Sequence, residues 1–219
     1  STLKEQVCNS IDKNRDMLLS ISHEIHSNPE LAFEEFKASK LLSDESEKVG
    51  INVVREAYGL ETAYASDFGN DGPRVAIISE YDALPGIGHS CGHNIIATTG
   101  FGAAAALLEV KDSLPGSIRY LGTPAEERGG VKEFMAQEGA FEDVSPAMMV
   151  HPAGVDLSTM PSICVSEVQV TYKGRSDHAS AIPHMGINAL DALVTAYQAI
   201  AQLRQHIKQT ERIHGIFEE

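Results

Sequence analysis

The run Val75-Ala76-Ile77-Ile78 constrains the fold more than any other feature of this chain. Apolar without alternation, it reads as a strand over 74–79 buried on both faces, and such a strand needs a covering layer on each side. The neighbouring sequence supplies those layers. An Ala-rich stretch over 95–110 reads as a tightly packed helix, 117–122 as a strand after the turn at Pro115-Gly116, 131–137 as a helix and 147–150 as a further strand. This βαβαβ rhythm predicts an α/β fold with a mostly parallel sheet and helices on both faces.

Upstream, Thr2 and Glu5 have capping-box spacing. Val7, Ile11, Leu18, Ile21 and Ile25 follow at helical intervals, with Pro29 just beyond the helix end. A second helix over 34–49 stops at Gly50, a residue suited to a left-handed C-cap. Residues 51–55 and 61–66 read as short strands. After Pro161 the pattern changes. Residues 163–172 alternate as a half-exposed strand does, 174–186 form a loop, and 187–205 form a helix with Leu190, Leu193, Val194, Tyr197 and Leu203 on its apolar side. A last strand begins over 212–217. This β-loop-α-β run predicts the start of a separate α+β domain, so that residues 1–162 and 163–219 form different domains. A unit of two strands and one helix buries little apolar surface. Glu219 falls in or just after the last predicted strand, so the sequence is expected to continue beyond it.

Length and charge narrow the function. With 219 residues the chain has room for one full domain and part of a second. A net charge of −14 argues against nucleic acid as a partner, because phosphate binding needs clustered Lys and Arg. No apolar run reaches membrane-spanning length, and the N-terminus lacks the apolar core of a signal peptide. Cys8, Cys91 and Cys164 are widely spaced and odd in number. They make no disulfide framework and fit a reducing cytosol, so a cytoplasmic location is expected and any of them is available as a ligand or nucleophile.

Ligand-type residues then recur where strands end. Glu80-Tyr81-Asp82-Ala83-Leu84-Pro85 and His89-Ser90-Cys91-Gly92-His93 follow the buried strand. Ligands in open α/β sheets bind outside the carboxyl ends of strands, and thiolate and imidazole are the preferred ligands of zinc. Taken singly, Cys91 reads as a small core thiol and His89 and His93 as loop residues. Glu126-Glu127 follows the next strand. Adjacent buried carboxylates repel, and a divalent metal resolves this by binding one while the other serves as a general base. An exposed acidic pair at a helix N-terminus is the plainer alternative. His151 ends the following strand. Three successive strand ends delivering such residues are hard to explain as packing. In the second domain His178 sits in a loop of small residues, and Asn188 stands near a helix start, where capping is its ordinary role.

Together the segments His26-Ser27-Asn28-Pro29-Glu30-Leu31-Ala32-Phe33-Glu34-Glu35, 80–94, 122–127, His151-Pro152 and 174–192 resemble the dinuclear metallopeptidases. That family includes aminoacylase, carboxypeptidase G and the plant auxin-conjugate amidohydrolases. The stretch from Glu80 to Asn94, with His214-Gly215-Ile216, is most similar to the branch of β-alanyl-lysine dipeptidases and aminobenzoyl-glutamate hydrolases. The resemblance implies a zinc-exopeptidase-like catalytic domain and the start of a ferredoxin-like lid or dimerisation domain. It implies Cys91, His93, Glu127 and His151 as metal ligands, Glu126 as general base and Asp82 as the carboxylate supporting a ligand or the base. It implies His178 as a group that polarises the scissile carbonyl, Asn188 as a contact for the substrate carboxylate, and a structural part for His26. Two divalent ions, zinc with manganese or cobalt as alternatives, a small N-acyl amino acid or dipeptide substrate, and a homodimer through the lid follow in the same way. Many relatives have Asp where Asn94 stands. Family members also run to about twice this length, as two domains would; the remainder is expected to carry one further His ligand.

The resulting expectation is a metal-dependent amide hydrolase acting through a metal-activated water. Two alternatives are a non-catalytic metal-binding or interaction relative that has lost the C-terminal half, and a cysteine hydrolase using Cys91 with His93 or His89.

Overall fold

The computed structural model describes residues 2–159 and 164–218. Helix α1 (Leu3–Lys13) opens on the capping box: Thr2 Oγ1 accepts the Glu5 amide and Glu5 Oε2 accepts the Thr2 amide. The single helix expected here is two. Asn14 interrupts it, its side-chain amide donating back to the Ser10 carbonyl at 2.9 Å, and α2 (Arg15–Ser27) continues from there. Helix α3 (Phe36–Lys48) ends in a Schellman motif. The Ile51 amide reaches the Ser46 carbonyl at 2.9 Å and the Gly50 amide reaches that of Glu47 at 3.1 Å, with Gly50 at φ +94°.

That motif holds Ile51 out of the strand expected over 51–55, of which only β1 (Val54–Arg55) forms. Strand β2 (Tyr64–Gly69) likewise starts later than expected. Thr62 is held by side chains instead of a ladder: its carbonyl accepts from Tyr81 Oη and its hydroxyl donates to Glu35. The remaining elements of this unit are β3 (Arg74–Glu80), α4 (His93–Leu108), β4 (Ser117–Thr123), α5 (Val131–Gln137) and β5 (Val144–Met148).

The sheet has the order β1-β2-β4-β3-β5. Strand β3 pairs in parallel with β4 and with β5, while β2 runs antiparallel to β4 and β1 antiparallel to β2. The sheet is therefore mixed: parallel around the apolar strand, antiparallel toward one edge. Alternation along the strands sends Tyr64, Ile77 and Tyr120 into a core with residues of α2, α3 and α4, and Ala76 and Leu121 into a second core with Val131 and Met135 of α5. Helix α4 approaches β3 closely. A Cβ at Gly100 would stand 2.2 Å from Ser79 Oγ, which itself donates to the Ala97 carbonyl at 3.0 Å. This contact explains the small residues of α4 and fixes the height of its first turn, where His93 lies.

The chain divides into two units, Ser1–Ser158 and Thr159–Glu219. In the second, α6 (Ala189–Leu203) forms, N-capped by Asn188. The strands expected over 163–172 and 212–217 do not form among the described residues, Ile163 lying outside them. Val165, Val168 and Val170 are exposed, and a strand without a ladder partner or a covering layer has little to hold it. An isolated antiparallel bridge joins Arg175 to Ile187. Among the described residues no helix is long and apolar enough to cross a membrane.

Candidate metal centre

Strands β4, β3 and β5 are adjacent and parallel, so their carboxyl ends open on one side. Asp82 follows β3, Glu126 and Glu127 follow β4, and His151 follows β5. The loop after β3 is anchored before it reaches the site. Tyr81 is fully buried with its hydroxyl on the Thr62 carbonyl, and the Ala83 amide donates to the Glu30 carbonyl at 2.8 Å. Asp82 is thereby set with both oxygens engaged: Oδ1 meets His93 Nδ1 at 2.9 Å and Oδ2 accepts the Glu127 amide at 2.9 Å. Burial of Asp82 opposes its ionisation, but these two bonds outweigh it and hold its carboxyl below the usual range. Burial also opposes the His93 cation, and the bond to Asp82 reverses that, raising the His93 pKa.

With Nδ1 as donor to Asp82, neutral His93 turns a lone pair outward on Nε2. Among the described residues that atom is buried without a hydrogen-bond partner, as are Glu80 Oε2 and Glu127 Oε1. His93 Nε2 stands 3.7 Å from Glu80 Oε2, 3.7 Å from Glu126 Oε2 and 3.6 Å from Glu127 Oε1. His151 repeats the pattern. Its Nδ1 lies 2.7 Å from the Pro152 carbonyl oxygen, to which it donates, and its Nε2 faces Cys91 Sγ at 3.7 Å. Gly92 permits the approach, since a Cβ there would meet Pro152 Cγ at 2.8 Å.

These N···O spacings are too long for hydrogen bonds. Donor atoms about 2.0–2.3 Å from one tetrahedral ion stand roughly 3.3–3.7 Å apart, so the spacing suits a shared cation. Ligand atoms of Cys91, His93 and His151 all lie within 4.8 Å of one another, and so do those of Glu80, His93 and Glu126. His93 belongs to both groups, and its buried Nε2, left unpartnered among these carboxylates, fits a divalent metal. An Asp that orients a His by its far nitrogen is the usual outer support of such a ligand.

The electrostatics bear on the alternatives. Burial, then the bond to Glu127 and the charges of Glu127, Glu126 and Glu80, push the Cys91 thiol up to about 12. A nucleophilic cysteine needs the opposite shift, so the cysteine-hydrolase reading loses its basis, whereas a metal ion deprotonates a coordinating thiol outright. Glu126 is raised above the usual carboxylate range by burial first and by the charge of Glu80 second, with Lys132 partly offsetting. The acidic pair does not open a helix, since α5 starts only at Val131, and its members differ: Glu127 has its Oε1 buried, whereas the Glu126 side chain is 41% exposed.

The structure thus brings Asp82, Cys91, His93, Glu126, Glu127 and His151 together. His178 and Asn188 belong to the second unit, and both are exposed there. His178 Nδ1 accepts the Ser180 and Ala181 amides at 3.3 and 3.2 Å, and Asn188 Oδ1 accepts the Leu190 amide at 3.1 Å, its ordinary capping role. Asn94 donates to Ser22 Oγ at 3.0 Å, joining α4 to α2. Three residues around the centre carry no role in the sequence reading. Glu80 lies two residues before Asp82 at the strand end, a spacing that puts both on one face and is a usable signal. Lys132 pairs with Glu80 from α5, and Glu35 reaches the turn before Glu126; neither partnership leaves a local signal.

Comparison with known proteins identifies the family. The model of peptidase family M20/M25/M40 matches residues 76–217. The chain is 40% identical to the Xaa-Arg dipeptidase of Mus musculus over 98% of this chain and 53% of the relative. It is 32% identical to one of the subunits of the p-aminobenzoyl-glutamate hydrolase of Escherichia coli, over 94% of this chain and 47% of that protein. It thus spans about half the length of the curated relatives it matches. Among solved structures, the YXEP protein of Bacillus subtilis, described as a dinuclear metal binding peptidase, superposes with a TM-score of 0.58 at 26% identity, over 62% of this chain and 42% of that one. A family match over most of the chain, on a mixed α/β sheet whose parallel strand ends gather Cys, His and Glu, places the chain in peptidase family M20/M25/M40.

Proposed function

We propose that the protein is a metal-dependent hydrolase that cleaves the amide bond of a small N-acyl amino acid or dipeptide. The observation that carries this reading is the set of buried, unpartnered ligand atoms His93 Nε2, Glu80 Oε2 and Glu127 Oε1, facing one another beside Cys91 and His151. Dipeptidase and aminobenzoyl-glutamate hydrolase, the names of two similar proteins, both denote amide cleavage and supply the substrate class.

Cys91, His93, Glu127 and His151 are the residues we assign to hold two divalent ions. Their Cys and His donors favour zinc, and the carboxylates also admit manganese or cobalt. Ions bound there would supply Lewis acidity toward water and the substrate carbonyl. Asp82 keeps the His93 proton on Nδ1, and so the lone pair on Nε2. Glu126, its pKa raised by burial and by Glu80, takes a proton from the attacking water and returns it to the leaving amine nitrogen. His178 accepts at Nδ1, so its neutral ring carries hydrogen on Nε2, the donor needed to polarise a carbonyl oxygen. Asn188 meets the substrate carboxylate through its amide nitrogen. A homodimer formed through the second unit and a cytoplasmic location complete the reading; the free state of Cys8, Cys91 and Cys164 favours a reducing compartment.

The test is hydrolysis by the full-length protein of Xaa-Arg dipeptides, β-alanyl-lysine, p-aminobenzoyl-glutamate and N-acetyl amino acids. Turnover lost on chelation and regained with zinc, manganese or cobalt is expected. Turnover indifferent to chelation would overturn the metal mechanism. A metal-loaded protein that hydrolyses no amide would instead be a non-catalytic relative.

A further inference from the structure

We propose that Glu35 is a positioning residue: it sets the Ala125-Glu126-Glu127 turn and so aims the two carboxylates at the His93 cluster. The inference rests on the metal-site reading above. Glu35 stands at the N-terminus of α3 and is fully buried. Its Oε1 accepts the Ala125 amide at 2.7 Å and the Phe33 amide at 3.0 Å, and its Oε2 accepts Thr62 Oγ1 at 2.9 Å. Both amides on Oε1 belong to residues in the left-handed region, Ala125 at φ +51° and Phe33 at φ +68°. A residue with a Cβ disfavours that region, so something must hold it there. At Ala125 the holder is the Glu35 carboxylate. Two residues on, the Glu127 amide is taken by Asp82 Oδ2. The turn is therefore pinned on both sides of Glu126. With Ala125 left-handed, Glu126 comes within 3.7 Å of His93 Nε2 and Glu127 within 3.6 Å of it.

No cation is paired with Glu35 among the described residues, and its burial pushes the carboxyl up. An apolar residue would avoid that desolvation. It could not, however, accept two amides that face the same point. Glu35 acts on the metal site only through backbone, and touches neither substrate nor metal.

The experiment is a cobalt(II) titration of the full-length protein, read from the visible absorption and the thiolate charge-transfer band of Cys91. Glu35→Gln retains a carbonyl oxygen for both amides and is expected to bind Co2+ as the wild type does. Glu35→Met has no acceptor and is expected to bind about 10- to 100-fold more weakly, the usual loss when an outer support of a metal site is removed. Ala125→Gly placed in the Glu35→Met background is expected to recover most of that loss, because glycine enters the left-handed region without a Cβ penalty. Should Glu35→Met fail to fold, Glu35→Asp replaces it, its carboxylate one methylene too short to hold both amides, with the same expected loss and rescue. Unchanged Co2+ affinity and spectrum in the Met or Asp variant, or a loss that Ala125→Gly does not relieve, would overturn the positioning role. A wild type that takes up no Co2+ would bring down the metal reading itself.

Discussion

Glu35 and Glu80 are both buried carboxylates, 0% and 1% exposed, and the fold treats them in opposite ways. Every donor around Glu35 comes from the protein, and both of its oxygens are used. Glu80 has one oxygen on Lys132 and the other buried with nothing to accept from among the described residues. Around Glu80 the same state recurs at His93 Nε2 and Glu127 Oε1. Buried polar atoms without partners are costly, and native proteins keep few of them. Where one cluster is closed and the other left open, the closed one is scaffold and the open one is prepared for a guest. The raised pKa of Glu126 belongs to the second kind of place.

The largest effect expected from this contrast is at Glu126. In Glu126→Gln, kcat is expected to fall on the order of 1000-fold with metal content kept, as for a lost general base. Steady-state kinetics with metal analysis of the same sample checks it, and metal lost together with activity would make Glu126 a ligand. Next comes the closed cluster. Removing its acceptor in Glu35→Leu strands three donors, two of them in buried bonds, and is expected to cost about 3 kcal/mol of stability in denaturant titration of the metal-free protein. Glu80→Gln in the same titration should leave stability unchanged or raise it, since it removes one of several crowded carboxylates. Equal losses in the two variants would erase the distinction between scaffold and open cluster. Glu127→Ala is expected to weaken metal retention by about tenfold or more, with turnover returning at excess metal. If instead it abolishes turnover and keeps the metal, the roles of Glu126 and Glu127 are exchanged.

The smallest effect belongs to an ion pair outside both clusters, between a half-exposed Asp67 and a largely buried Arg119. Two hydrogen bonds donated by Arg119, at 2.9 and 2.8 Å, hold the Asp67 carboxyl below its usual range. A carboxyl lowered on folding contributes stability above its unfolded pKa and loses it as pH falls through the folded one. The wild type should therefore lose slightly more stability than Asp67→Asn as pH drops below about 4. Urea titrations at stepped pH read the difference; parallel acid limbs would show the pair contributes nothing.

Local chemistry was enough for much of this molecule. Thr2 with Glu5, Gly50 after α3, and the apolar run of β3 mark elements that formed where the sequence placed them, because caps and periodicity act within a few residues. The candidate site was legible as chemistry for a similar reason: Cys91 and His93, Glu126 and Glu127, and His151 each follow a recognisable strand. Misreadings arose where a distant partner decided the outcome. Thr62 reads as strand until Tyr81 and Glu35 occupy it, and Asn14 reads as helix until its amide turns back on Ser10.

The sequence by itself thus determined which donor types the chain carries, on which strand ends, and that a buried parallel core would hold them. Only the tertiary structure decided which atoms of those residues remain free. Asp82 fixes the His93 tautomer across the loop, Glu35 reaches Ala125 from the far end of the unit's sequence, and Lys132 takes one oxygen of Glu80. Such choices depend on hydrogen bonds between residues that only packing brings together. A pattern along the chain names the donors, and the fold determines what is left for them to bind.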